Sequence, residues 1–333
     1  MNIISIVCPT YNEDKYIAHT IETFLKQKLE NIQLEILIVD GMSTDKTREI
    51  VSKYALIHPN LKLLDNPQRK TPYAFNIGIQ QAKGNYIAIL GAHSYYDDDY
   101  LQTCFNELQR TNSVGCSGKV RLNIKTDTPE SMLVKWLQES SFGVSSGSFK
   151  TLKEGYTTII NYPVYKKEVL IEIGGYDTSL HRNQDNDLNQ RLFEKGYLLY
   201  HTFKTGSDYT PPNTFSKLFR YAYTNGFWNA KSLLRKPKSM KMHHLVPFVF
   251  VSSLLLLTLI GISGYLTHFV YLEYCLLMAG LVLVLHFFAG ILFSFKIYLQ
   301  EQNLLALLLP IYFFCFHFCY GWGTLNGFLK QTN

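Results

Sequence analysis

Through the first half of this 333-residue chain, short apolar runs rich in branched residues alternate with stretches whose apolar positions recur at helical spacing. Residues 3–8, 34–39, 61–64 and 86–90 have the length and composition of strands. Between them, 15–27 carries Ile17, Ile21, Phe24 and Leu25 on one side of a helix, 44–54 is opened by Ser43 or Thr44, and 72–82 starts at Pro72. Strands alternating with helices predict an α/β fold built on a parallel, doubly wound sheet. Sheets of this kind bind ligands beyond the carboxyl ends of their strands.

The pattern then changes. A helical piece at 131–139 follows Pro129, and the Ser/Gly-rich stretch 140–147 has the composition of a lid. A strand is expected at 157–165, a short helix at 167–173 ended by Gly174 and Gly175, and another helix at 187–194. Residues 215–234 place Phe215, Leu218, Phe219, Ala222 and Tyr223 at helical spacing among Lys217 and Arg220, the pattern of a helix lying on a membrane surface. Three apolar stretches follow, at 245–266, 269–295 and 304–328. The first two are each long enough to cross a hydrocarbon core of ~30 Å. Pro310, His317, Gly321 and Gly323 interrupt the third, which leaves two or three transmembrane helices. The expected division is an α/β domain at 1–212, an interfacial helix and basic linker at 213–241, and a membrane region at 242–333.

Charge refines this picture. The net charge of +6 is scattered, and no basic stripe with interleaved aromatics marks a nucleic-acid partner. Lys231, Arg235, Lys236, Lys238 and Lys241 cluster just before the first apolar run, and Lys296 follows the second, so both flanks are expected on the cytoplasmic side. The six cysteines include no CxxC spacing and read as reduced, packed thiols. The start "MNIISIVCPTYNE" lacks a basic n-region, so a cleaved signal peptide is not expected and the first domain is placed in the cytoplasm.

Each strand of the first half ends on residues capable of chemistry: "PTYNE", "DGMSTD", "NPQRK" and "GAHS". Glu13, Asp40, Arg69 and His93 would thus share one edge of the sheet, as in a binding crevice. With "SIVCPTYNE", "ILIVDGMSTDKT", "NPQRKTPYAFNIGI", "GNYIAILGAHSYYDDDYL", "YPVYKKEVLIEIGGYD" and "NQDNDLNQRL" in order, the first ~230 residues resemble family 2 glycosyltransferases of the GT-A fold (Rossmann-like, nucleotide-diphospho-sugar transferase), and among them the membrane-tailed exopolysaccharide enzymes of the succinoglycan type. Each segment alone is common; six in register make the resemblance specific.

The resemblance assigns roles. Pro9 would turn the chain at the strand end while Thr10, Tyr11 and Glu13 face the nucleoside and Asp40 accepts a hydrogen bond from the base. Arg69 would meet the diphosphate, with Asn76 anchoring that loop, although an "RK" pair also suits a solvated face. The family's two-aspartate metal motif aligns with Gly91, Ala92 and His93. Ala-His also stands here in the related exopolysaccharide enzymes, which makes His93 a candidate ligand for Mn²⁺ or Mg²⁺, or else a hydrogen-bond donor to a phosphate. Asp97, Asp98 and Asp99 precede a helix starting near Tyr100 and read as caps. Asp185 takes the position of the family's general base. The glutamate that precedes that base in the family is Gln184 here, and Asp187 reads as a cap or an acceptor contact. The Gln-x-x-Arg-Trp motif of processive synthases is absent: Tyr221 stands where its Gln would be, Thr224 in the position of its Arg, and Trp228 lies further on.

What the resemblance implies is an inverting transferase that moves a single sugar from a nucleotide donor, expected to be UDP-linked, to a lipid-linked saccharide at a bacterial membrane, in exopolysaccharide or capsule synthesis. Other polysaccharide-assembly proteins would be its partners. Transfer directly to a polyprenyl phosphate and a catalytically silent, nucleotide-sugar-binding assembly partner are the alternatives.

Overall fold

The computed structural model describes residues 1–144, 152–180, 182–235, 242–268 and 270–330. The chain forms two compact units, Met1–Asn123 with Leu152–Thr210, and Ile124–Thr151 with Pro211–Asn333. The cut at Thr210 falls two residues from the expected boundary at 212, but 124–151 groups with the C-terminal part.

The first unit is built on a nine-stranded sheet. Its first half follows the alternation: β1 (Asn2–Thr10), α1 (Ile17–Leu25), β2 (Ile32–Asp40), α2 (Thr47–Ile57), β3 (Leu61–Asp65), α3 (Thr71–Gln81) and β4 (Tyr86–Ile89). The strands lie parallel in the order β3-β2-β1-β4, with Thr10 opposite Asp40 and Asp40 opposite Asp65, so three polar residues form a row across the carboxyl ends. Branched residues pack on both faces. Ile4, Ile6, Ile36 and Ile38 meet α1 on one side, and Val7, Leu37 and Val39 meet α3 on the other.

Beyond β4 the sheet is mixed rather than parallel. The elements are β5 (Ser94–Tyr96), α4 (Tyr100–Thr111), β6 (Gly115–Leu122), β7 (Gly155–Thr157), β8 (Val164–Lys166), α6 (Lys167–Glu172), α7 (Gln184–Glu194) and β9 (Leu199–Tyr209), with α5 (Pro129–Glu139) belonging to the second unit. Strand β8 runs antiparallel to β4 and β6, and β5 and β7 antiparallel to β9. The expected strand at 157–165 is broken between β7 and β8, and Tyr162 in the break has φ of 53°.

This mixed half also reassigns the three aspartates. Asp99 precedes α4 without a side-chain capping bond. Instead Asp97 accepts from Arg121 Nη1 and Nη2 at 2.9 and 2.5 Å and from the Gly206 N–H at 2.8 Å, Asp99 accepts from Thr205 at 2.8 Å, and Asp98 pairs with Lys28. Strand β6 brings Arg121, and β9, paired with both β5 and β6, brings Thr205 and Gly206; these donors, rather than the helix amides, take the carboxylates of Asp97 and Asp99.

The second unit holds α5 (Pro129–Glu139), α8 (Phe215–Arg235), α9 (Val246–Thr267), α10 (Val270–Glu301) and α11 (Leu309–Leu329). Three of its helices are long and apolar enough to cross a membrane, over Val246–Thr267, Tyr274–Glu301 and Leu304–Leu329. Pro310 does not break the third, because it falls in the first turn of α11, where its missing N–H leaves no bond unmade. Helix α8 presents a stripe of Leu218, Ala222, Gly226 and Ala230, and α11 packs against this helix. The backbones approach so closely that a Cβ on Gly226 would stand 2.0 Å from the Tyr320 carbonyl oxygen, and one on Gly323 2.1 Å from that of Tyr223. Small residues at such crossings let van der Waals packing and hydrogen bonds act between helices. Of the expected lid at 140–147, residues 145–147 lie outside the described residues. Before them the Phe142 ring packs among Phe293, Phe313 and His317, and its carbonyl accepts from His317 Nε2 at 2.9 Å.

Candidate active site

The ends of β1 and β2 are laced together by short polar bonds. The Asn12 N–H donates to Ser43 Oγ at 2.9 Å, the Thr44 N–H to Asn12 Oδ1 at 2.9 Å, and the Glu13 N–H to Thr47 Oγ1 at 2.7 Å. Asp40 is the centre of the lacing. It is fully buried, and its two oxygens accept from Thr10 Oγ1, the Ser43 N–H and Oγ, and Arg48 Nη1 at 3.2, 2.8, 2.5 and 2.8 Å. All four lone-pair positions of the carboxylate are thereby engaged. Asp40 organises this edge, and a contact to a nucleobase would displace one of these partners. Arg48 had no signal in the sequence. Its guanidinium bridges Asp40 and Asp65, each at 2.8 Å, neutralising two carboxylates that the strand register forces together.

The other expected nucleotide contacts divide. Thr10 is buried against Asp40, whereas Tyr11 is exposed. Arg69 is exposed on a loop where its φ is 57°. Asn76 has both ends of its amide on the Tyr176 backbone, at 2.8 Å each, and so anchors the turn after α6 instead of the loop bearing Arg69. Ala92 is buried, and its carbonyl accepts from Thr20 Oγ1.

His93 and Glu13 face each other across the strand ends, Nδ1 to Oε1 at 3.2 Å, with the imidazole half exposed. The hydrogen bond to the Glu13 carboxylate raises the imidazole pKa above its ordinary value, against the opposing effect of burial. Among the described residues, no group of three or more His, Cys, Asp and Glu side chains gathers as a metal site. Imidazole and carboxylate are nonetheless donors that suit Mn²⁺, and a metal held by one or two protein ligands takes its remaining positions from substrate phosphates and water. The pair fits a divalent ion on those terms, with Glu13 as the carboxylate that Gly91 does not supply.

A small pocket, open to solvent, lies beside this edge. Pro9, Leu90 and Gly91 line it from the strand ends, Phe75 from α3, Ile160–Pro163 and Tyr165 from the broken strand, and Asp185 from α7. Asn183, with φ of 63°, turns the chain into α7, so that Asp185 falls in the helix's first turn. Its carboxylate has no hydrogen-bond or ion-pair partner among the described residues, and burial pushes its pKa up from 3.8 to about 6. Free amides at a helix start lower a carboxyl pKa; here desolvation wins. Asp187, by contrast, is buried and paired with Arg191 at 2.8 Å, while Arg191 also donates to the carbonyls of Ile173 and Gly175. This ion pair ties the first turn of α7 to the turn after α6. Gln184 Oε1 is buried without a hydrogen-bond partner among the described residues. Trp228 lies on α8 in the second unit, half-buried against Phe227.

Comparison with known proteins adds the family. The family model described as "Glycosyl transferase family 2" matches residues 5–174. A dolichyl N-acetyl-α-D-glucosaminyl phosphate 3-β-D-2,3-diacetamido-2,3-dideoxy-β-D-glucuronosyltransferase of Methanococcus voltae is 28% identical over 342 residues, spanning 100% of this chain and 99% of its own length. The succinoglycan biosynthesis protein ExoA of Rhizobium meliloti (strain 1021) is 29% identical over 245 residues, 73% of either chain. Among solved structures, the mannosyltransferase PcManGT from Pyrobaculum calidifontis in complex with GDP-Man and Mn²⁺ matches with a TM-score of 0.57 at 18% identity, covering 96% of this chain and 87% of that one, a likeness of fold. With the model extending over half of the chain and the α/β architecture in agreement, this chain is a glycosyltransferase and belongs to glycosyl transferase family 2.

Proposed function

We infer that the chain transfers a single sugar from a nucleoside diphosphate donor, UDP-linked, to a lipid-linked saccharide, with inversion at the anomeric carbon and Asp185 as general base. The observation that carries this reading is the carboxylate of Asp185, without a partner among the described residues and partly buried, in the same pocket as Pro9 and Gly91 at the strand ends. A base whose pKa lies near the working pH is ionised often enough to accept a proton and still basic enough to pull it. Asp185 takes the proton of the acceptor hydroxyl as that oxygen attacks the anomeric carbon, and the bond to the diphosphate breaks on the opposite side. Attack from one face and departure from the other invert the centre.

At the strand ends, Glu13 and His93 would hold a divalent ion, and Arg69 would reach the diphosphate from its exposed loop. The ion, when bound, neutralises charge on the leaving diphosphate. The acceptor reading is supported by the full-length relative whose name specifies a dolichyl-linked N-acetylglucosaminyl phosphate, by the succinoglycan relative, and by the three long apolar helices. The basic residues that precede the first of these helices in the sequence support a cytoplasmic α/β unit. Exopolysaccharide or capsule assembly is the setting these features suit.

The test is a donor screen in detergent, UDP-sugars against GDP-sugars, with a polyprenyl N-acetylglucosaminyl phosphate as acceptor, with and without Mn²⁺. Asp185→Asn should lower kcat by about 10²- to 10⁴-fold and leave the Kd for UDP within about threefold. Transfer near wild-type rates in Asp185→Asn would remove that residue from the base role. A product with the sugar directly on a polyprenyl phosphate would move the acceptor reading to that lipid, and UDP binding without any transfer would make the chain a silent binder.

A further inference from the structure

Tyr162 stands out in the pocket wall. Its φ is 53° and Pro163 follows it. Positive φ is uncommon for a bulky residue, and a following proline favours extended backbone, so this conformation persists only because the surroundings impose it. They do so from several directions. The Tyr162 carbonyl accepts from Tyr100 Oη at 2.7 Å, its hydroxyl accepts from Ser94 Oγ at 2.8 Å, and the Pro163 carbonyl accepts from the Ile89 N–H at 2.9 Å. Tyr96 meets the ring edge-on, with centroids 5.6 Å apart.

The ring so held occupies a particular space. A Cβ on Gly91 would stand 3.3 Å from Tyr162 Cε1. Residue 91 carries no side chain where the ring edge lies. The pocket runs from Pro9, Leu90 and Gly91 to Asp185, with Phe75, Tyr162 and Tyr165 among its walls. If the diphosphate lies at the strand ends and the attacked centre faces Asp185, the fragment spanning the two is the donor sugar. Aromatic rings offer the C–H faces of a pyranose an apolar surface, and the few polar groups of such a pocket fix its orientation.

Resting on the function inferred above, we propose that Tyr162 is the platform on which the donor's sugar ring packs, and that it fixes where the anomeric carbon stands relative to Asp185. Tyr162 touches substrate in this role without taking part in proton transfer.

The experiment is calorimetric titration of the full-length protein in detergent with UDP and with UDP-N-acetylglucosamine, and with GDP and GDP-mannose in parallel. Tyr162→Leu should weaken the sugar nucleotide by about tenfold while the parent nucleotide changes by less than about twofold, and Tyr162→Phe should recover most of the loss. Gly91→Ala, which pushes a methyl group onto the ring edge, should give the same selective weakening, about threefold, and serves where Tyr162→Leu does not fold. Equal weakening of both ligands, or of neither, overturns the platform. A wild-type protein that binds no nucleoside diphosphate overturns instead the function on which it rests, as does wild-type transfer that survives Asp185→Asn for the base.

Discussion

Asp185 carries two consequences of one burial. Desolvation holds its pKa at about 6, so activity limited by this base should fall as pH drops through about 6. The same shift is a statement about stability. A carboxyl whose folded pKa lies above its ordinary 3.8 favours the protonated protein, so its ionisation opposes folding. That opposition is absent below about pH 4, grows between 4 and 6, and is fully present above 6. Asp185→Asn should therefore raise stability at pH 7.5 by up to ~2–3 kcal/mol while abolishing transfer, and the gain should vanish near pH 4. Chemical denaturation of the two proteins at both pH values measures it. Equal unfolding free energies at pH 7.5 would mean that the carboxylate is better solvated than its surroundings indicate.

Among the elements, the parallel half of the sheet was legible because its strands are uninterrupted branched runs between helices of clear period. The other half was not. Strands β5, β7 and β8 have three residues each, and β6 carries Gly115, Ser117 and Gly118 where a branched run would have announced it. The stretch read as one strand at 157–165 is the pocket wall, and the positive φ of Tyr162 leaves no mark on the apolar pattern. Asp185 was legible from its motif, but its missing partner was not. Arg48 was hidden because its role depends on the register that places Asp40 opposite Asp65. Gly321 and Gly323 interrupt the apolar pattern of α11, and in the structure Gly323 lets α8 approach and Gly321 lets α9 approach. Gly323→Val would drive a side chain into the Tyr223 backbone, which cannot yield as a flexible side chain does. It should lower stability in detergent by ~1–3 kcal/mol or more. Gly280→Val, on α10 with no heavy atom within 4 Å of its Cβ position, should leave the Tm nearly unchanged. Similar melting of the two variants would mean that the α8–α11 contact does not limit stability.

At the scale of the molecule, the division into two units does not follow chain order: the chain leaves the first unit after Asn123, returns at Leu152 and leaves again after Thr210. A catalytic fragment cut at 212, where composition suggests a boundary, would keep α5 and discard what covers it. Leu133, Val134, Trp136 and Leu137 of that helix are buried in one cluster with Leu218, Ala222, Leu309 and Phe313, all beyond the cut. Each such side chain contributes ~1.5–3 kcal/mol through burial, so exposing four together presents an apolar patch that water disfavours and neighbouring copies would cover. The fragment 1–212 should accordingly aggregate, or stay bound to detergent. Replacing 124–151 in it by a Gly/Ser linker of about a dozen residues should give a soluble monomer that still binds UDP, since every residue lining the pocket is retained. Size-exclusion chromatography with light scattering, followed by UDP titration, separates the outcomes. A monodisperse 1–212 would show that α5 needs none of its C-terminal partners, and aggregation of both fragments would show that the α/β unit itself depends on the helices that follow.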